Sequence, residues 1–194
     1  FAFGSAISWR LIAGNTRAFL GIVNAKYPLN TTPGVLSYEN RYTYKLKVFD
    51  IHELQALKTS NTVLAAGNIL IKADLNANGT YNVADVWGTT KTNGLAGWVP
   101  VGDISNPFAG TFTGGYVVYN LYINRPSSSY VGLFGVNTGA ISQTAAIGNV
   151  SGLQYVGGLV GYNLGTLTNI YSLTNVTGSA SSFFVGGLVG LNNG

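Results

Sequence analysis

Hydrophobic residues in this chain come in short runs, separated by glycine, asparagine and proline rather than by charge. Runs of that length with turn residues between them predict strands. Residues 116–124 alternate, with Val117, Tyr119, Leu121 and Ile123 on one face of a predicted strand. Residues 38–49 alternate in the same way. Near the N-terminus two apolar stretches flank Gly14 and Asn15, which predicts a β-hairpin or two strand fragments. Pro28 and Pro33, with a turn at 30–34, argue against a long helix in 21–50. Residues 62–74 are rich in strand formers and broken at Gly67 and Asn68, and a turn follows at 76–79. One segment has helical spacing: His52 to Lys58, with Leu54 and Leu57 three apart and Asp50 placed to cap it. It is too short to hold without tertiary contacts.

From residue 97 the glycines and prolines become frequent, and a phrase then recurs three times. Val-Gly-Leu-Phe-Gly-Val-Asn-Thr-Gly at 131–139 returns as Val-Gly-Gly-Leu-Val-Gly-Tyr-Asn-Leu-Gly at 156–165. It returns again as Val-Gly-Gly-Leu-Val-Gly-Leu-Asn-Asn-Gly at 185–194. The aligned Asn137, Asn163 and Asn192 lie 26 and 29 residues apart. A fixed period in this range predicts a solenoid, because one coil of about 25 residues cannot bury its apolar side chains alone. Successive coils would pair in parallel, about 4.8 Å apart, with equivalent residues above one another. Leu133, Leu159 and Leu188 would then form an internal ladder, as would Val150 and Val176. Asn137, Asn163 and Asn192 would stack at a turn. Gly135, Gly161 and Gly190 suit corners that need positive φ or close backbone approach. A phosphate-binding loop is excluded for these glycines by the absence of a following Lys-Ser/Thr and of a helix.

Composition narrows the functional classes. Charged residues are 8% of the chain and hydrophobic residues 46%, the reverse of the disordered signature. The net charge of +4 is dispersed, and only Arg41 to Lys47 clusters. Its alternation fits an exposed strand better than a phosphate stripe, so no nucleic-acid partner is expected. With no cysteine, disulfides and thiol chemistry are excluded. No apolar run reaches the roughly 18 residues of a membrane span. The first residues lack the basic region of a signal peptide and read as an interior segment of a longer precursor.

The phrase at 156–165 resembles the GLUG motif of bacterial surface and secreted proteins. Around it, Ile-His-Glu-Leu-Gln at 51–55 resembles the leader before such arrays. Gly-Trp-Val-Pro-Val-Gly at 97–102, Asn-Pro-Phe-Ala-Gly-Thr-Phe at 106–112 and Asn-Leu-Tyr-Ile at 120–123 resemble the strands before the first motif. The likeness covers residues 50–194 and departs in the first copy, which has one glycine fewer. It implies a right-handed parallel β-helix (β-solenoid) similar to filamentous-haemagglutinin-type adhesins. Residues 9–20 resemble the segment that closes such an array. The resulting division is 1–20 as the close of a preceding module, 21–50 as a β-rich linker or small strand region, and 51–194 as the β-helix.

Catalytic reagents are scarce. The six carboxylates are Glu39, Asp50, Glu53, Asp74, Asp85 and Asp103. From Ile104 onward Arg125 is the one charged side chain, so the repeat face lacks a general acid or base. The lone His52 is expected in a capping or surface role. Asp74, Asn76, Asn78, Gly79, Asn82 and Asp85 follow calcium-loop spacing, but with two charges a β-turn is the preferred reading. Sequons at Asn30, Asn78, Asn149 and Asn175 are weak signals in so Asn- and Thr-rich a chain. Tyr116, Tyr122, Tyr130 and Tyr162 are candidates either for exposed aromatics or for ladder positions.

The expectation is therefore a non-enzymatic structural or adhesive segment, extracellular or on a bacterial surface, with no catalytic, metal or cofactor site. Expected partners are copies of itself stacked head to tail or the continuing chain, and surface glycans or neighbouring proteins. A glycan-binding or glycan-active β-helix is the alternative, and it would need Asp74, Asp85 and Asp103 to converge. A calcium-dependent binding module is a third. The repeat that breaks off at Gly194 would expose an unpaired edge, open to strand addition.

Overall fold

The computed structural model describes residues 8–13, 16–21, 45–59, 64–65, 67–82, 84–85, 95–181 and 183–194. The prolines at 28 and 33, the turn residues 14–15, the sequon at Asn30 and nearly all of the 21–50 segment lie outside them. The N-terminal stretches β1 (Ser8–Ala13) and β2 (Thr16–Gly21) form an antiparallel pair, so the two-strand expectation resolves as a hairpin. Every other strand pair is parallel. The fold is all-β, a stack of parallel coils forming a β-solenoid.

One long sheet runs the length of the stack. It contains β3 (Lys45–Val48), β4 (Asn68–Ile71), β5 (Leu75–Asn76), β6 (Thr111–Thr113), β7 (Tyr116–Arg125), β9 (Ala140–Gly152) and β12 (Thr166–Gly178). A second face is made by β8 (Phe134–Asn137), β11 (Val160–Asn163) and β14 (Val189–Asn192). The pair β10 (Val156–Gly157) and β13 (Val185–Gly186) makes the third.

Parallel register places like residues over like, and the core is built of such columns. Ile69, Phe112, Ile141 and Leu167 stack in one, and Ile123, Val150 and Val176 in another. Val101, Phe134, Val160 and Val189 form a third. Burial of these columns gives the stack its main stabilisation, since no coil has a core of its own. Trp98 is fully buried beside them, with its indole N–H donating to the Leu133 carbonyl at 3.0 Å.

Helix α1 (Ile51–Ala56) forms where the leucine spacing predicts it. The Asp50 carboxylate accepts the Glu53 N–H at 2.8 Å, and the Glu53 carboxylate accepts the Phe49 N–H at 2.7 Å. This reciprocal capping satisfies donors that a short helix would leave unpaired. Burial pushes the Glu53 carboxyl above the usual range. Ile51, Leu54 and Leu57 join the core, and β2 lies beside α1 and β3.

Two details differ from the sequence expectation. Strand β7 does not keep one parity. Asn120 takes φ +58°, the register slips between Val118 and Leu121, and Val118, Leu121 and Ile123 face inward. Val117 and Tyr119 therefore face outward, because a bulge inserts one residue and reverses the sides that follow. The second detail is the length of the strand over residues 166–178, which runs unbroken for 13 residues as β12 rather than as short runs. It turns without breaking at Asn169 (φ +50°), directly over Gln143 (φ +51°) of β9. The preceding coil makes the same bend with Gly115 (φ +76°), and there the strand does split, into β6 and β7.

The motif glycines serve close approach. None of Gly135, Gly161 and Gly190 has positive φ. A Cβ on Gly161 would sit 2.7 Å from both the Tyr155 carbonyl oxygen and the Val131 nitrogen. Both atoms are backbone and cannot give way. A Cβ on Gly187 would meet nothing within 4 Å. Gly161→Ala should lower the unfolding free energy by about 2 kcal/mol, whereas Gly187→Ala should stay within about 0.5 kcal/mol of the parent. Urea unfolding of the two variants checks the contrast.

Candidate functional site

Three side-chain ladders meet at the corner that the repeated phrase builds. The first is apolar. Leu133 and Leu159 are fully buried and Leu188 is half-buried against them. The first motif copy, with one glycine fewer, keeps register, because Val131 pairs with Val156 and Phe134 with Val160. The additional Gly158 is taken up between β10 and β11.

The second ladder is amide. Asn137, Asn163 and Asn192 end β8, β11 and β14 and lie in direct register. Asn137 Nδ2 donates to Asn163 Oδ1 at 2.7 Å, and Asn163 Nδ2 donates to Asn192 Oδ1 at 2.7 Å. Asn163 Nδ2 also donates to the Gly165 carbonyl at 2.8 Å, while its Oδ1 accepts the Gly165 N–H at 3.3 Å. Both donors and both acceptor sites of this buried amide are filled. Asn137 closes the same turn on Gly139, at 3.3 Å and 3.1 Å. In the preceding coil Phe108 occupies the equivalent place, so the ladder starts at Asn137. All its amides donate in one direction, towards Asn192.

The third ladder is aromatic and escaped the repeat alignment by one position. Tyr130, Tyr155 and Phe184 each stand immediately before a motif copy. All three have left-handed backbone, with φ of +60°, +53° and +59°. Tyr130 stacks on Tyr155 with ring centres 4.8 Å apart, and Tyr155 on Phe184 at 5.1 Å. Tyr162 leans on the column, 5.6 Å from Tyr155. A bulky residue at positive φ is strained, and here the stacked rings accompany that strain in the three repeated coils. An aromatic at the same offset before each copy was the signal available in the sequence.

The four tyrosines named from sequence are all half-buried. Tyr130 and Tyr162 belong to the aromatic column, Tyr116 packs on the core, and Tyr122 lies under Tyr81 with ring centres 3.9 Å apart. Among the described residues the exposed tyrosines are Tyr81 and Tyr171. Of the sequons, Asn149 and Asn175 stack in register on the outer face of the long sheet, with Asn175 Nδ2 donating to Asn149 Oδ1 at 3.2 Å.

The charged candidates are separated by their partners. Asp74 accepts the Val117 N–H at 2.9 Å, Asp103 accepts the N–H groups of Ser105 and Asn106, and Asp85 meets His52 Nε2 at 2.9 Å. Within the calcium-like string, Asn76 Oδ1 accepts from the Asn78 N–H and from Asn120 Nδ2, and residues 78–81 form a 3-10 turn. Among the described residues no three of His, Asp and Glu are grouped to hold a metal ion. Arg125 donates to the carbonyls of Trp98 and Gly97, and burial lowers its pKa. No helix among the described residues is long and apolar enough to cross a membrane.

No protein-family model matches the chain, and no solved structure matches it significantly. Two curated proteins are similar to it. A protein described as a Gly-rich membrane protein, from Evansella cellulosilytica, is 37% identical over 84 residues, or 40% of this chain. Halomucin from Haloquadratum walsbyi is 30% identical over 175 residues, or 87% of this chain. The chain spans 10% of the first relative's length and 2% of the second's. The solenoid and these likenesses are compatible with a structural protein of the cell surface.

The amide ladder gives a graded expectation. Asn163→Ala removes a rung bonded on both sides and leaves buried polar groups unpaired, which should cost about 2–3 kcal/mol. Asn192→Ala, at the exposed end, should cost about 0.5–1 kcal/mol. Thermal unfolding of both variants measures the difference, and equal losses would contradict a ladder with an interior and an end.

Proposed function

We propose that the chain is a structural and adhesive segment of a secreted bacterial surface protein or extracellular filament, in which stacked coils form a stiff rod. The observation that carries this reading is the in-register parallel stacking of each coil on the next. Among the described residues β12 pairs only with β9, and β14 only with β11. Burial falls along each column towards this end: Val131 and Val156 are fully buried, while Val185 is 43% exposed. Leu164, Tyr171, Leu173, Phe183 and Phe184 are exposed in the same region. A parallel edge with half-covered apolar columns is complementary to one more coil of the same kind.

The amide ladder adds polarity to that edge. Asn192 accepts from Asn163, and its own Nδ2 has no partner among the described residues. An asparagine in register on a further coil would offer an acceptor at that point. The coil would come from the continuing chain or from another copy stacked head to tail. The likeness of the repeated phrase to the GLUG motif of bacterial surface proteins supports the same reading. A non-enzymatic role fits the separate engagement of Asp74, Asp85 and Asp103 by three different partners.

Extension of the stack tests the proposal. Residues 185–194 align with 156–165, so a copy of residues 166–178 added after Gly194 would run along β12 in register. That tail should raise the melting temperature by several degrees, at roughly 3 °C per kcal/mol for a chain of this size. A scrambled tail of the same composition should leave it unchanged. Identical behaviour of the two tails would overturn the reading.

A further inference from the structure

The outer face of the long sheet carries a second surface, remote from the repeated corner. Tyr81 stacks on Tyr122 with an interplanar angle of 29°, and Tyr81 remains 46% exposed. Beside this pair two outward columns cross the strands. One is Tyr122, Asn149 and Asn175; the other is Asn124, Ser151 and Thr177. Together they line a shallow open hollow of about 230 Å³.

These polar groups are largely unused. Asn149 donates to the Tyr81 hydroxyl at 3.4 Å and accepts from Asn175, which fixes the amides beside the ring. The side chains of Asn124, Ser151 and Thr177 make no hydrogen bond within the described residues, and Asn175 Oδ1 accepts none. The contrast with Asn163, whose amide is saturated, is chemical and not positional. Both columns are stacked in register, but one faces its own turn and the other faces solvent.

We propose that this hollow is a binding subsite for a neutral glycan, with Tyr81 as the stacking platform and Asn124, Asn149, Ser151 and Asn175 as hydroxyl partners. The inference rests on the adhesive part of the proposed function and needs no added coil. Three features select the ligand class. The lining carries no charge, so neither an acidic nor a basic ligand gains an ion pair there. A flat ring with a free face suits an apolar sugar face, while amides and hydroxyls both donate and accept, as sugar hydroxyls require. Along each column one uncharged polar or aromatic group follows another about every 4.8 Å, which offers successive units of a polymer a contact each. The floor, β9, is paired on both sides by β7 and β12, so a peptide strand could add only along β12 at the side of the hollow and not across its floor.

Titration of the 194-residue chain with cellohexaose, chitohexaose, maltohexaose and mannohexaose, followed by calorimetry and tyrosine fluorescence, tests this. At least one should bind saturably, and an anionic oligogalacturonate should not. Tyr81→Ala should weaken binding by about tenfold, Tyr81→Phe should largely preserve it, and Asn175→Ala should weaken it. Tyr171→Ala, exposed on the same sheet but outside the hollow, should leave it unchanged. The unfolding midpoint of each variant shows whether the fold is intact. Absence of saturable binding to all four sugars would overturn the subsite, as would binding that Tyr81→Ala and Asn175→Ala leave unchanged in folded protein. Preferential binding of an extended Gly/Ser/Asn peptide would overturn the ligand class. None of these outcomes bears on the tail-extension experiment, so the rod and the subsite stand or fall separately.

Discussion

In-register parallel pairing of one coil on the next is the constraint from which the rest of this structure follows. It sets each residue about 4.8 Å from its own equivalents. Backbones at the motif corner then approach so closely that a Cβ on Gly161 would lie 2.7 Å from atoms of the neighbouring coil and corner. The glycines are there because the coils touch through their main chains. The same closeness lets Asn137, Asn163 and Asn192 join amide to amide at 2.7 Å, and lets Tyr130, Tyr155 and Phe184 stack ring on ring.

Register also selects which chemistry a position can carry. A side chain in a ladder must tolerate copies of itself above and below. Aliphatic chains, rings, hydroxyls and amides do so, the last two because each both donates and accepts. Like charges at that spacing repel by about 1–3 kcal/mol per pair, depending on exposure. The charged residues accordingly lie before residue 104 in the sequence, ahead of the repeated coils. Arg125, the exception, lies at a strand end and is bound by two carbonyls. The composition of 8% charged residues is thus a consequence of stacking rather than a separate property.

Much of this was legible because the ladder is a statement about sequence. Equal spacing put Leu133 over Leu159 and Asn137 over Asn163 before any coordinates, and Asp50 announced the helix cap. What was not legible depended on single backbone torsions. Asn120 at φ +58° reverses the inward face of β7, so alternation read across it assigned Val117 and Tyr119 to the wrong side. Asn169 at φ +50° bends β12 without ending it, a turn that nothing in the residue pattern marks. The aromatic column was missed for a different reason. The repeat was anchored on its glycines, and the aromatic that precedes each copy fell just outside the frame. Tyr81, beside the outer hollow, comes from a turn in an earlier coil and bears no periodic relation to Tyr122.

The two amide columns show how one kind of residue can do opposite things in one stack. Asn163 turns inward to its own chain, and all its hydrogen-bonding capacity is used in fixing the corner and joining the coils. Asn175 turns outward, in the same coil, and retains an acceptor. Identity of side chain and register are shared; the difference is the face of the strand. A solenoid therefore separates cohesion from recognition by parity alone: inward positions must saturate one another, and outward positions need not. In this chain the motif corner carries the first arrangement and the outer sheet the second.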